Sequence, residues 1–226
     1  MDRIFWAGDS TAAFNGYDTF PQTGIGQGYQ LYVRRGVQIC NYAKNGSSTK
    51  SFLHDGLLAE IEKNIEPEDF LYIQFGHNDE KQDPNRFTDP YTTYQENLAR
   101  MVETAKRAGA HPLLITSLYR RHFDENGCLK ERVHLDYPDA MKDLAARVGV
   151  PCVDLCESSR QLLMQTGEEN SRRWFMRLEP GRYKNYPEGM KDDSHLHYEG
   201  AVEMAGLIAK EVRRIGAPYD RVLLPV

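Results

Sequence analysis

Short apolar runs recur along this chain, and each stops at turn residues: RIFWA (3–7), VQICNY (37–42), DFLYIQF (69–75), HPLLITS (111–117) and VPCVDL (150–155). Continuous apolar runs of this length, bounded by turns, are those of strands buried on both faces. Between them lie stretches of helical period: YTTYQENLARMVETAKRAGA (91–110), HLDYPDAMKDLAARVG (134–149) and EGAVEMAGLIAKEVRRIG (199–216). Each closes at a glycine, Gly109, Gly149 or Gly216, the residue that most readily terminates a helix. Strand, helix, strand at this cadence predicts the α/β class: a parallel sheet of about five strands with helices on both faces, a three-layer α/β/α sandwich. No repeat or low-complexity linker divides the 226 residues, so residues 1–226 are expected to form a single domain.

In sheets of this kind ligands bind beyond the C-terminal ends of the strands. Those ends carry the unusual residues. Ser10, in AGDST, follows the first strand; NGSS (45–48) follows the second; GHND (76–79) follows the third. DDSHLHYEG (192–200) stands just before the last helix. Four separated segments are thereby expected on one rim.

Composition narrows the function. A net charge of −5 argues against a nucleic-acid partner, which needs a basic face, although SRRWFMRLEPGRYK is locally basic. No apolar run approaches the roughly 20 residues of a membrane span. The opening MDRIFWAGDS lacks the basic start and apolar core of an export signal, so a cytoplasmic protein without a membrane partner is expected. Cys40, Cys128, Cys152 and Cys156 form no CxxC pair and no zinc spacing, and read as reduced structural thiols.

Taken in order, Gly8-Asp9-Ser10, Gly46 within NYAKNGSSTKSF, Asn78 within QFGHND and Asp192-Asp193-Ser194-His195 resemble the four blocks of the SGNH, or GDSL-like, hydrolases. The extended forms AGDST, GIGQGY, QFGHND and DDSHLHYEGA are most similar to the rhamnogalacturonan acetylesterases within that superfamily. The resemblance runs from Ile4 to about Gly206 and implies a flavodoxin-like sheet order. It also implies a serine esterase with Ser10 as nucleophile, His195 as base and Asp192 as the group that orients it. The oxyanion site would be the backbone N–H of Ser10, the backbone N–H of Gly46 and the side-chain amide of Asn78.

Physical chemistry makes these residue types intelligible. A serine hydroxyl is a weak nucleophile until an adjacent base, itself oriented by a third group, takes its proton. The oxyanion needs donors already in place, and the N–H of Ser10 is expected near a helix N-terminus. Asp193 is the rival for the orienting carboxylate and His197 for the base; Asp9 and His77 read as supports of their loops. Asn45-Gly46 alone would be only a turn, and Phe70, Tyr72 and Phe75 read as core. A metal-dependent hydrolase recruiting Asp192, Asp193, His195 and His197 is an alternative, as are an esterase on another acyl group and a non-catalytic carbohydrate-binding relative. The Ser-centred reading requires no metal and no cofactor.

The expected substrate is a small acetylated oligosaccharide derived from pectin. Residues 171–191 read as a loop walling the site, with Trp174 or Tyr183 stacking on sugar and Arg172, Arg173 or Arg182 meeting a uronate carboxylate. SLYRRHFDENG (117–127) is a second candidate wall.

Overall fold

The computed structural model describes residues 1–225. Five strands, β1 (Arg3–Gly8), β2 (Gln38–Asn41), β3 (Phe70–Gln74), β4 (His111–Ile115) and β5 (Cys152–Val153), form one parallel sheet in the order β2-β1-β3-β4-β5. This is the flavodoxin-like order, and the strand positions agree with the apolar runs. Strand alternation assigns the two faces. Ile4, Trp6, Phe70, Tyr72, Leu113 and Ile115 point into one buried cluster, while Phe5, Ala7, Leu71, Ile73 and Leu114 point into the other.

Helices close both faces. The short α1 (Ile25–Gly28), then α6 (Leu155–Thr166) and α8 (Tyr198–Ile215) cover the first cluster. The second is covered by α2 (Thr49–His54), α3 (Leu57–Asn64), α4 (Gln95–Arg107) and α5 (Tyr137–Val148). In α8 the buried residues Ala201, Met204, Ala205, Ile208, Ala209 and Val212 fall at steps of three and four, one stripe of a 3.6-residue helix. The expected helix over 91–110 is divided: Pro90–Tyr94 form a π turn capped by the Asp89 carboxylate before α4 begins. That over 134–149 starts later, at Tyr137, because Leu135 adopts a positive φ of 49° ahead of it.

One region departs from the sequence expectation. Residues 171–191 are not a free loop: after α7 (Glu168–Ser171) and a 3-10 turn, β6 (Phe175–Leu178) pairs antiparallel with β7 (Met190–Leu196). Trp174 lies in the main core at 4 % exposure, so its ring has no free face for a sugar. The hairpin packs tightly on α8. A Cβ on Gly200 would stand 2.0 Å from the Trp174 carbonyl oxygen.

Polar groups buried under the C-terminal rim join its loops. Asp79, fully buried, accepts from Thr49 N (3.0 Å), Thr49 Oγ1 (2.5 Å) and Thr88 Oγ1 (3.0 Å), tying the turn after β3 to the start of α2. Burial outweighs these hydrogen bonds and pushes its carboxyl up to about 7. His77, 4 % exposed, stands 3.6 Å from Asp9 and packs edge-on against His134 at 4.5 Å between ring centres. Burial first, and then the His134 charge, depresses its imidazole to about 4. Cys152 and Cys156, in β5 and α6, have thiols pushed up to about 12 by burial, which keeps them protonated.

Two stability measurements follow from this packing. Gly200→Ala should lose about 2 to 3 kcal/mol in chemical denaturation, because the colliding atom is backbone and cannot rotate away; an unchanged midpoint contradicts the packing. His77 binds its proton more weakly folded than unfolded, so its contribution to unfolding free energy rises with pH between about 4 and about 6.5, by on the order of 3 kcal/mol. Asp79 slopes the opposite way, so the readout is the difference between wild type and His77→Asn. That difference should grow across the window and be flat above it.

Candidate active site

Ser10 follows β1 in a tight turn. Asp9 builds it: its Oδ1 accepts from Thr11 N (2.9 Å) and Thr11 Oγ1 (2.8 Å), and its carbonyl accepts from Ala12 N and Ala13 N, both at 3.1 Å. The expected helix N-terminus at Ser10 is absent, since α1 begins only at Ile25. The N–H of Ser10 is held by a turn and not by a helix.

The Asp-Asp-Ser-His segment lies in a bulge of the β6–β7 hairpin. Phe175 pairs with Leu196 and Arg177 with Lys191, so two steps along β6 face five along β7. The extra residues leave the ladder. Asp192 Oδ1 shapes them by accepting from Ser194 N (2.7 Å) and His195 N (2.9 Å). Its Oδ2 lies 2.6 Å from His195 Nδ1, and His195 Nε2 lies 2.9 Å from Ser10 Oγ. The burial of Asp192 favours the neutral acid. The His195 hydrogen bond and charge, with the two backbone N–H groups, overcome this and bring the carboxyl down to about 2. An ionised carboxylate only accepts, so Nδ1 carries the imidazole proton and Nε2 presents its lone pair to the Ser10 hydroxyl.

The rivals point elsewhere. Asp193 accepts from Arg121 Nη1 (2.8 Å) and from the Arg177 fork, whose Nε lies at 2.9 Å, and so anchors the hairpin. His197 caps the start of α8, with Nε2 3.2 Å from the Tyr183 hydroxyl. Asp192, Asp193, His195 and His197 therefore do not converge, and among the described residues no three His, Cys, Asp or Glu side chains gather as a metal-binding group.

The turns after β1, β2 and β3 carry the three candidate donors. Gly46 is exposed on its turn with φ of 80°, a conformation that favours glycine. Among the described residues the backbone N–H groups of Ser10 and Gly46 have no acceptor within the protein. Asn78 is 2 % exposed, with Nδ2 donating to the Ser47 carbonyl at 2.9 Å, which leaves its second amide hydrogen unused. Asn45 Nδ2 to Asn15 Oδ1, at 3.2 Å, braces the Gly46 turn against the segment after Ser10.

The expected sugar contacts divide. Arg172 is engaged by Glu179 (3.0 Å) and Arg173 by Glu199 (3.6 Å). Arg182 is exposed and, among the described residues, pairs with no carboxylate. With Tyr183 it lines a cleft of about 370 Å³ that also includes Arg177, Phe175 and His197. In 117–127 the first half turns inward, Arg121 being 3 % exposed, so only its tip is a surface loop. Exposed aromatics overlooked in the sequence lie between Ser10 and α1: Phe14 (65 % exposed), Tyr17 (75 %) and Phe20 (59 %). Phe20 meets the Tyr183 ring at 5.8 Å, and Asn185 Nδ2 donates to the Tyr17 (2.6 Å) and Phe20 (3.0 Å) carbonyls. Their signal was a run of aromatics among small polar residues directly behind the nucleophile.

Known proteins resemble this chain. The family model of the GDSL-like lipases and acylhydrolases matches residues 7–201. The rhamnogalacturonan acetylesterase RhgT of Bacillus subtilis is 41 % identical over 96 % of this chain and 91 % of its own. The probable rhamnogalacturonan acetylesterase YesY of the same organism is 40 % identical over 99 % and 98 %. The crystal structure of Bacillus subtilis YxiM superposes with a TM-score of 0.78 at 25 % identity, over 96 % of this chain and 58 % of that one. Axe2, an acetylxylan esterase from Geobacillus stearothermophilus, shares the fold at a TM-score of 0.61 and 15 % identity, over 96 % and 95 %. The chain belongs to the GDSL-like lipase/acylhydrolase family.

Proposed function

We propose that this protein is a serine esterase that removes acetyl groups from carbohydrate, its substrate an acetylated rhamnogalacturonan oligosaccharide derived from pectin. The observation that carries the reading is the unbroken path from Asp192 through His195 to Ser10; the turns that hold Ser10, Gly46 and Asn78 lie on the same rim of the sheet. The similarity over nearly the whole chain to the rhamnogalacturonan acetylesterase RhgT and to YesY, named a probable one, supports the substrate class.

The chemistry runs through this chain's own groups. Ser10 Oγ attacks the acetyl carbonyl carbon while its proton passes to His195 Nε2. Negative charge then develops on the carbonyl oxygen, where the N–H groups of Ser10 and Gly46 and the Asn78 amide receive it. Asp192 stabilises the imidazolium across Nδ1. Collapse breaks the bond to the sugar oxygen, which leaves with the proton from His195. Water, deprotonated by the same nitrogen, attacks acetyl-Ser10 and releases acetate. Phe14, Tyr17 and Phe20 supply apolar ring faces suited to sugar stacking, and Arg182, which among the described residues pairs with no carboxylate, is a cation suited to a uronate carboxylate. Arg172 and Arg173 are compensated by their own carboxylates and Trp174 is buried, so none of these three enters the substrate reading.

Acetate release from acetylated rhamnogalacturonan oligosaccharides tests the reading. Wild type should release acetate and Ser10→Ala should not; release by both sinks the assignment of the nucleophile. Asn78→Ala should lower kcat by about 100-fold or more. Asp192→Asn, which turns the imidazole to the wrong tautomer, should cost roughly 10³- to 10⁴-fold in kcat. Asp193→Asn should lower the melting temperature with a much smaller change in kcat, and an equal loss in the two variants would refute the division of roles.

A further inference from the structure

The Asn78 amide is held at both ends. Its Nδ2 donates to the Ser47 carbonyl and its Oδ1 accepts from Lys81 Nζ, each at 2.9 Å. A carbonyl oxygen only accepts and an ammonium only donates, so these neighbours permit one orientation of the amide. In that orientation the unused hydrogen is on nitrogen, the end an oxyanion requires. Lys81 is delivered by the same turn, its own N–H returning to the Asn78 carbonyl at 3.2 Å.

Lys81 is exposed on the rim. Lys81 directs its ammonium at a neutral amide oxygen and, among the described residues, makes no ion pair. A cation on the oxygen of an amide favours the resonance form with positive charge on nitrogen, which strengthens the N–H as a donor. The positive charge also lies close to the place where negative charge develops in the reaction.

We propose that Lys81 is a positioning residue of the oxyanion site, locking and polarising the Asn78 amide so that its free hydrogen meets the developing oxyanion. This rests on the reading of Ser10 as the nucleophile and deepens it. The charged groups around Lys81 are Arg86 and Arg120, of like sign, and Asp9 and Glu80, of opposite sign. Burial, followed by the two arginines, holds the ammonium below its ordinary value. Its contribution is lost as pH rises through that lowered value.

The test is the rate at which a fluorophosphonate labels Ser10, measured beside hydrolysis of p-nitrophenyl acetate, from neutral to alkaline pH. In the labelling the Oγ–P bond forms, the P–F bond breaks, fluoride leaves and the hydroxyl proton passes to His195. Lys81→Met should slow labelling and lower kcat by about tenfold while leaving KM unchanged. Lys81→Arg should recover most of the rate and move the alkaline limb to higher pH. Circular dichroism establishes that both variants fold. A Lys81→Met protein within about twofold of wild type in both assays overturns the proposal, as does a loss that arginine fails to rescue. Labelling needs no sugar, so a wild type that is labelled yet inert toward acetylated oligosaccharide overturns the substrate class and not the role of Lys81. A wild type that is not labelled at Ser10 overturns both.

Discussion

The carboxylate of Asp192 governs the site. One oxygen accepts the N–H groups of Ser194 and His195 and so bends the chain into its bulge; the other accepts the ring proton of that same histidine. Backbone shape and side-chain tautomer are therefore set by a single charge. In a regular strand residues three apart face opposite ways, and it is the bulge that brings Asp192 and His195 together. The depressed carboxyl is the energetic signature of this arrangement, because every one of its partners favours the ionised form.

The sheet supplies the other half. Parallel strands end on one side, so β1, β2 and β3 deliver Ser10, Gly46 and Asn78 to one rim. Short polar ties then fix their spacing: Asp79 to Thr49, Asn78 to Ser47 and Asn45 to Asn15. Each joins two loops, so the donors form one braced surface instead of three independent turns. Lys81 belongs to the same bracing, since it holds the one amide atom that Ser47 leaves open.

Much of this was legible in the sequence because period-2 burial and turn chemistry are local. The runs IFWA and FLYI are apolar throughout since both faces of β1 and β3 are covered, and Ser10 and Asn78 are polar residues that follow such runs, while His195 stands just before a helix. The hairpin was not legible. Residues 171–191 mix arginine, aromatic and turn residues without alternation, and β7 contains KDDSH, whose polarity hides a strand. Trp174 illustrates the reason: an aromatic among arginines resembles a binding residue, yet the close approach allowed by Gly200 buries it. Phe14, Tyr17 and Phe20 mislead in the reverse direction, being apolar residues whose exposure only the fold reveals. Lys81 carries no sequence signal beyond its distance of three from Asn78.

The β6–β7 hairpin is not a strand pair of the main sheet. Its ladder resumes on both sides of the bulge, and it is fastened to the body by Arg121 on Asp193, by Thr23 N to the Leu196 carbonyl (2.9 Å) and by the packing under α8. Two members of the reacting trio ride on this attachment and the third on the rigid centre of the sheet. Apolar packing completes that attachment, since Phe175, Met176 and Leu196 are each 1 % exposed. The distance between His195 and Ser10 is thus set by how the hairpin seats on α8 as much as by the sheet itself.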